Sequence, residues 1–287
     1  MPACDASFPI EHNVSVTKTN RVYLKLMWRS LAPTKRVQPS DVLWPIVLFA
    51  AILLAWEGAV RTLAIPDIIL PAPSAIAAYL LRRDALFFNH LWPTLMQTIE
   101  GFALAVVGGI LLAILVSLTE IGRRGIMPLL VIAQIIPKIA VAPLLMLWFG
   151  LGDLSRVLIA VLVSFFPMVI NTASGLESVS EEVTLLGRSL SRSRRQFFMK
   201  IQLPHALPYI FDGMKVAITL AVIGVIVAEF VSSQKGLGYL IMFANGRLDT
   251  VMMMAAITVL SVVGLLLYAL IALFGRMVIY WGAATEV

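Results

Sequence analysis

The sequence has little charge for its length. Only 13% of its 287 residues are Asp, Glu, Lys or Arg, whereas 60% are hydrophobic. Soluble domains carry about 25% charged residues, so this chain lacks the polar surface that would cover a globule in water. The shortage excludes an ordinary soluble fold and predicts a protein that crosses a membrane several times.

Redox and metal-binding residues are also scarce. The single cysteine, Cys4, excludes an internal disulfide, and the three histidines (His12, His90 and His205) are not at metal-ligand spacing. We therefore expect no metal site and no bound cofactor. The sequence also lacks a Walker phosphate loop, a Gly-x-Ser-x-Gly elbow, a His-Glu-x-x-His pair and a Cys-x-x-Cys pair. No enzymatic site is predicted, and ATP binding by a Walker loop is excluded.

The apolar residues are concentrated in six runs, each about long enough to cross ~30 Å of hydrocarbon as a helix. The runs cover residues 42–60, 91–118, 126–149, 154–176, 213–231 and 251–274. They predict an all-α membrane protein with six transmembrane helices.

The polar stretches separate these runs. Residues 1–41 lack the apolar core of a signal peptide and are expected to remain as a tail. Residues 61–90 are predicted to be a mixed loop, in which Pro73 and Ser74 cap a short segment. Residues 177–210 are predicted to be a short water-exposed helical hairpin and residues 232–249 a loop, and residues 276–287 form a second tail.

The distribution of Lys and Arg predicts the orientation, because basic loops stay in the cytoplasm. The heavier group lies in the N-terminal tail, at Arg123 and Arg124, in the 177–210 hairpin and at Arg276. The lighter group lies in the other loops. We therefore expect both termini and the hairpin in the cytoplasm and the 61–90 loop outside. The formal net charge of +6 then reflects membrane orientation and contact with lipid, not nucleic-acid binding.

Prolines and glycines mark two of the runs. Pro128, Pro137 and Pro143 all fall within residues 126–149 and predict a kinked or locally unwound helix. Its freed backbone groups need neighbouring helices, so we expect it inside the bundle. In the preceding run, Gly101, Gly108 and Gly109 are predicted to let another helix approach closely.

Four polar side chains inside the apolar runs are candidates for a substrate pathway: Glu100, Lys138, Asn171 and Glu229. Charges are costly in hydrocarbon and should face the protein interior or water. For the two glutamates, the alternative is a position near the outer interface, where they simply reach water. Lys138 and Glu229 have opposite charges, and we hypothesise that they form an ion pair, which exchanging the two residues would test.

The hairpin carries a recognisable motif. Ile201-Gln202-Leu203-Pro204 resembles the end of a cytoplasmic motif in permease subunits of bacterial ABC importers, which reads Glu-Ala-Ala, three residues, Gly, nine residues, Ile-x-Leu-Pro. Counting back places Ser191 at the Gly position and Leu185-Leu186-Gly187 at Glu-Ala-Ala. The spacing is therefore kept, whereas the acidic residue and the glycine are not.

Other stretches agree with this resemblance, which covers about residues 42–275. Residues 136–152 and 203–208 are very similar to the nitrate/sulfonate/taurine-type permeases. Residues 227–230 and 235–240 look most like the branch that imports thiamine-precursor pyrimidines or riboflavin. The resemblance implies the type I ABC importer permease fold, with residues 91–275 as a five-helix core after the first helix.

The resemblance also implies partners. Two ATP-binding subunits would hydrolyse ATP, a periplasmic or lipid-anchored binding protein would deliver substrate, and two copies of this chain would form the pathway. Residues 177–210 would be the coupling loop to the ATPase. Its implied contacts are Leu185, Leu186, Gly187, Ser191, Arg192, Ser193, Arg194, Gln196, Phe197, Phe198, Leu203 and Pro204.

Phe197 and Phe198 are apolar anchors of the kind that interfaces use, and the arginines of the loop can pair with carboxylates on a partner. The alternative for those arginines is that they only enforce orientation. For the substrate, the first expectation is a thiamine-precursor pyrimidine or a riboflavin-like heterocycle, and the alternative is a sulfonate, taurine or nitrate. A stand-alone secondary transporter or channel is the alternative of a different class.

Overall fold

The computed structural model describes residues 39–190 and 193–279, and all regular structure in that part of the chain is helical. The long helices are α1 (Pro39–Thr62), α3 (Asp84–Leu118), α6 (Asp153–Glu177), α9 (Leu203–Ser232) and α11 (Thr250–Val278). The shorter helices are α2 (Pro73–Arg82), α4 (Met127–Ile135), α5 (Ala142–Phe149), α7 (Glu181–Leu190), α8 (Arg194–Phe197) and α10 (Leu237–Gly246). Two π-helical turns, Gly122–Ile126 and Phe198–Gln202, and a 3-10 turn, Lys138–Val141, complete the path.

Within the described residues, five helices are long and apolar enough to cross a membrane, or six if a bent pair of helices is counted as one span. The predicted all-α membrane fold is therefore confirmed. Helix α3 begins at Asp84 and α9 at Leu203, both earlier than the apolar runs at residues 91 and 213. Hydropathy marks the part of a helix that lies in hydrocarbon, whereas these helices continue past that boundary.

Helices α3, α6 and α9 pack closely through small residues. A Cβ atom built on Gly101 of α3 would lie 2.6 Å from the Cβ of Ala160 on α6, and one on Gly109 would lie 2.8 Å from Cγ of Met168. On α9, a Cβ at Gly224 would lie 2.9 Å from the Cα of Ala160. The predicted close approach at the α3 glycines is confirmed, since close backbone contact is how helices associate within lipid.

The proline-rich run is broken, as predicted. The segments Gly122–Ile135 and Lys138–Phe149 meet at a bend of 82°. The expectation that this run lies inside the bundle is wrong for the single chain. No residue of α4 is buried within the described residues, and α5 buries only Ala142 and Met146.

The stretch 232–249 is not a loop, contrary to the prediction. It contains α10, whose buried side chains Leu237, Leu240 and Ala244 pack in one apolar cluster with Ile76 of α2 and Phe87 of α3. The glycines around residue 237 suggested a loop because glycine interrupts helices. Here Gly236 adopts φ +118° immediately before α10 and turns the chain into it.

Candidate functional sites at the two ends of helix α9

A buried carboxylate joins three helices at the end of α9. Glu229 is 1% exposed. Its Oε1 accepts a hydrogen bond from Thr94 Oγ1 of α3 at 2.7 Å, and its Oε2 accepts one from the backbone N–H of Gly238 in α10 at 2.7 Å. A buried carboxylate is tolerated only where it is hydrogen-bonded, and these two bonds connect α9 to α3 and α10.

Side chains of the same region also accept hydrogen bonds from the backbone N–H groups at the start of α10. The backbone N–H of Leu237 donates to Thr94 Oγ1 at 2.9 Å, and the N–H of Gly236 donates to His90 Nδ1 at 3.0 Å. The first N–H groups of a helix have no partner within the helix. Three successive N–H groups here are satisfied by side chains of α3 and α9. We call Glu229, Thr94, His90, Gly236 and Gly238 the carboxylate network.

Glu229 packs so closely against α10 that only glycine fits at positions 236 and 238. A Cβ on Gly236 would overlap the carboxylate of Glu229, and one on Gly238 would lie 2.9 Å from the Cβ and Oε2 of Glu229. Gly236 also has the positive φ that other residues rarely adopt. The network is therefore a close fit between one side chain and the backbone of α10.

At the opposite end of α9 lies a helical hairpin built from α7 and α8. Gly187 of α7 contacts the ring of Phe197, and a Cβ built on Gly187 would lie 2.9 Å from Cδ1 of Ile201. Phe197 is 7% exposed, and Phe198 packs against the apolar cluster that contains Leu176 and Ile210. The two phenylalanines therefore hold the hairpin against its own chain.

The exposed surface of the hairpin is formed by other residues. Leu185 and Leu186 are 62% and 61% exposed, and Ser193 and Gln196 are exposed as well. Leu203 and Pro204 are half-buried at the start of α9. The hairpin therefore presents a small, exposed, apolar surface between two long apolar helices, and exposed apolar side chains of this kind can contact a partner.

The family follows from comparison with known proteins. The model of the family described as "Binding-protein-dependent transport system inner membrane component" matches residues 105–280, which include the hairpin, Glu229 and α10. The chain belongs to this family. It is a multi-pass permease component of an ABC importer in the inner membrane, and the predicted family is confirmed.

Three relatives of the permease cover most of both chains. A formylaminopyrimidine transport permease of Halalkalibacterium halodurans is 36% identical, over 84% of this chain and 96% of its own. A probable ABC transporter permease of Haemophilus influenzae is 34% identical, over 79% and 93%. A riboflavin transport system permease of Chloroflexus aurantiacus is 33% identical, over 84% and 92%.

The structure does not bring Lys138 of the permease to Glu229, so the hypothesis of an ion pair is wrong. Lys138 Nζ donates to the backbone carbonyl of Gln134 at 3.1 Å and lies 5.1 Å from the ring centroid of Phe166. In a continuous helix, the carbonyl of residue 134 would accept the N–H of residue 138. The ammonium therefore replaces a backbone donor that the break in the helix removes.

The other two pathway candidates, Asn171 and Glu100, make contacts elsewhere. Asn171 donates through Nδ2 to the carbonyl of Pro167 at 2.8 Å and faces Gly213 of α9. Glu100 lies exposed on α3 and forms no ion pair within the described residues. Neither residue joins the carboxylate network.

Two coupling contacts, Ser191 and Arg192, lie outside the described residues, whereas Arg194 begins α8. Phe197, predicted as a surface anchor, is instead internal, because Gly187 leaves space for its ring.

Thr94 and His90 were not predicted from the sequence as functional candidates. Their spacing of four residues places them on one face of α3, and that spacing is the available signal.

Proposed function

We propose that this permease forms half of the translocation pathway of an ABC importer for a planar nitrogen heterocycle, most specifically a thiamine-precursor pyrimidine. The named substrates of two relatives, formylaminopyrimidine and riboflavin, both belong to this chemical class. The observation that carries the coupling role is the α7–α8 hairpin, with Leu185 and Leu186 exposed. On this proposal ATP is hydrolysed by separate ATP-binding subunits, two per transporter, and the permease binds no cofactor itself.

We further propose that two copies of the permease pair through the bent segment α4–α5. This segment is apolar and largely uncovered: Ile132, Leu147 and Trp148 are all more than half exposed. The distribution of basic residues supports an orientation with both termini and the hairpin in the cytoplasm. The carboxylate network then lies towards the outer side, where a binding protein delivers substrate.

Removing the exposed leucines of the hairpin is expected to uncouple the permease from its ATPase. Truncating an interface hot spot costs at least about 2 kcal/mol, so Leu185→Ala combined with Leu186→Ala should lower recovery of the ATP-binding subunit by tenfold or more. The measurement is co-purification of the solubilised complex, followed by uptake into proteoliposomes. Leu81→Ala is the matched control, because Leu81 is also highly exposed but lies on α2.

Uptake assays with the purified binding protein and ATPase then test the substrate. We expect ATP-dependent uptake of labelled formylaminopyrimidine in preference to riboflavin, taurine or nitrate. Uptake of taurine, a sulfonate or nitrate alone would replace the heterocycle with the alternative substrate class. Uptake by the permease without any ATPase would identify a stand-alone transporter.

A further inference from the structure

A cavity of about 350 Å³ lies between α2, the start of α3, α10 and the start of α11. It lies near the end of α9 that carries the carboxylate network, whereas the α7–α8 hairpin is at the other end. Its chemically distinctive lining residues are Tyr79, Arg83, Tyr239, Phe243, Arg247 and Asp249. Neither the carboxylate network nor the coupling hairpin explains why aromatic and charged groups converge here.

One wall is a row of flat groups whose neighbouring rings are offset from each other. The rings of His90 and Tyr239 lie 5.7 Å apart at an interplanar angle of 15°, and the rings of Tyr239 and Phe243 lie 5.7 Å apart at 31°. The guanidinium of Arg247 lies 4.1 Å from the Phe243 ring centroid. Residues 239 and 243 are four apart, so α10 presents both rings along one face, and Arg247 follows directly after the helix.

The opposite wall is also aromatic. Tyr79 of α2 lies edge-to-face with Phe87, and the guanidinium of Arg83 lies 5.7 Å from the Tyr79 ring centroid. Burial and the nearby Asp249 carboxylate raise the pKa of Tyr79, so its phenol keeps its proton at neutral pH. The cavity is therefore a slot lined by aromatic rings of α2 and α10, with a guanidinium beside Tyr79 and another beside Phe243.

Hydrogen-bonding groups at the slot are available to a ligand. Within the described residues neither Arg83 nor Arg247 forms an ion pair, so their N–H donors are not engaged by a carboxylate. Asp249 uses Oδ1 to accept the N–H of Met252 at 2.9 Å. The Tyr79 hydroxyl is also within hydrogen-bonding reach of this carboxylate. An ionised carboxylate has about four acceptor positions, so Asp249 can still accept an N–H group of a ligand beside the two cationic donors.

We propose that this cavity is a binding site for a single-ring nitrogen heterocycle, which stacks between Tyr79 and the Tyr239–Phe243 wall and presents its polar edge to Arg83, Arg247 and Asp249. Donors beside an acceptor match a ring that has both acceptor and N–H groups on its edge. Small-molecule pockets range from about 300 to 1,000 Å³. The volume of 350 Å³ is at the small end of that range, which favours one ring over a fused multi-ring ligand such as a flavin.

The inference rests on the proposed function, because it assigns a site and a ring size to the substrate class. It is tested with the full-length permease alone in nanodiscs, by equilibrium binding of labelled formylaminopyrimidine. Saturable binding is expected. Phe243→Ala should weaken it about five- to 100-fold, since stacking on an aromatic side chain contributes about 1–3 kcal/mol per base. Riboflavin and taurine should compete poorly.

Matched variants separate a local effect from misfolding. Phe88→Ala removes an exposed ring from α3 that does not line the cavity and should leave the dissociation constant unchanged. Phe243→Leu keeps apolar bulk without the ring and should weaken binding nearly as much as Phe243→Ala. Arg247→Lys keeps the charge but loses the planar donor group, and a several-fold loss is expected.

The outcomes also separate this site from the proposed function. If the assembled transporter imports formylaminopyrimidine while the permease alone shows no saturable binding, the cavity proposal is overturned and the importer function stands. Binding that Phe243→Leu leaves unchanged also overturns it. If the assembled transporter does not import the pyrimidine, the proposed substrate fails independently of the cavity.

Discussion

Glu229→Ala is expected to destabilise the permease by about 1 to 3 kcal/mol, because it leaves the buried N–H of Gly238 without its acceptor. The hydroxyl of Thr94 also loses its bond to Glu229 but can turn to the backbone carbonyl of His90 at 3.3 Å. Each unsatisfied buried group costs about 1–3 kcal/mol. Glu229→Gln should cost less, since its amide oxygen can still accept one of the two bonds. Thermal unfolding in nanodiscs measures the effect, and ATP-dependent uptake should fall with it.

Glu120→Ala is the control for this prediction. Glu120 is also a glutamate at the end of a membrane helix, but it pairs with Arg124 at 2.9 Å on an exposed surface. Exposed pairs contribute about 0–1 kcal/mol, so this variant should unfold close to wild type. If the Ala variants at 229 and 120 behaved alike, the carboxylate network would not stabilise the fold.

Gly236→Ala is expected to destabilise the permease as strongly as Glu229→Ala. A methyl group at this position overlaps the Glu229 carboxylate, and φ is +118°. Backbone strain of this kind costs about 1–3 kcal/mol, and displacing the carboxylate breaks its bonds to Thr94 and Gly238 as well. Thermal unfolding is again the measurement, with uptake as the functional readout.

A double-mutant cycle distinguishes the steric cause from a general intolerance of alanine. Glu229→Ala removes the group that Gly236→Ala overlaps, so the double variant should lose clearly less than the sum of the two single losses. Strict additivity would contradict the overlap. Gly264→Ala serves as the control, because nothing lies within 4 Å of a Cβ there, and it should be neutral or stabilise by up to about 1 kcal/mol.

The sequence predicts those features of this permease that depend on one residue and its neighbours along the chain. Pro137 lacks the N–H that would continue the helix, and Pro128 and Pro143 fall in the same run, so the break in the third span could be predicted. A single proline is not enough, since Pro45, Pro93, Pro167 and Pro208 each lie inside an unbroken helix. Glu229 could be selected as a candidate because a carboxylate in an apolar run needs partners. The identity of those partners was not predictable, since Thr94 lies 135 positions away.

The errors arose where the rotation of a helix about its axis decides the contact. Lys138 and Glu229 have complementary charges, but Lys138 instead satisfies a carbonyl of its own broken helix. Phe197 lies in a helix of only four residues, too short for a periodic pattern to show which face is buried. Gly236 and Gly238 led to the prediction of a loop around α10. A helix forms there instead, and it is stabilised by packing on α2, α3 and α11.

The bend in the third span changes how far that segment reaches. At 1.5 Å per residue, Gly122–Ile135 and Lys138–Phe149 are about 21 and 18 Å long. Their 82° bend leaves the outer ends about 30 Å apart, which equals the hydrocarbon thickness. Joined straight, they would overshoot it by about 9 Å. Measured from the line that joins those outer ends, the bend places an elbow at Pro137 about 13 Å to one side, near the midpoint of the segment.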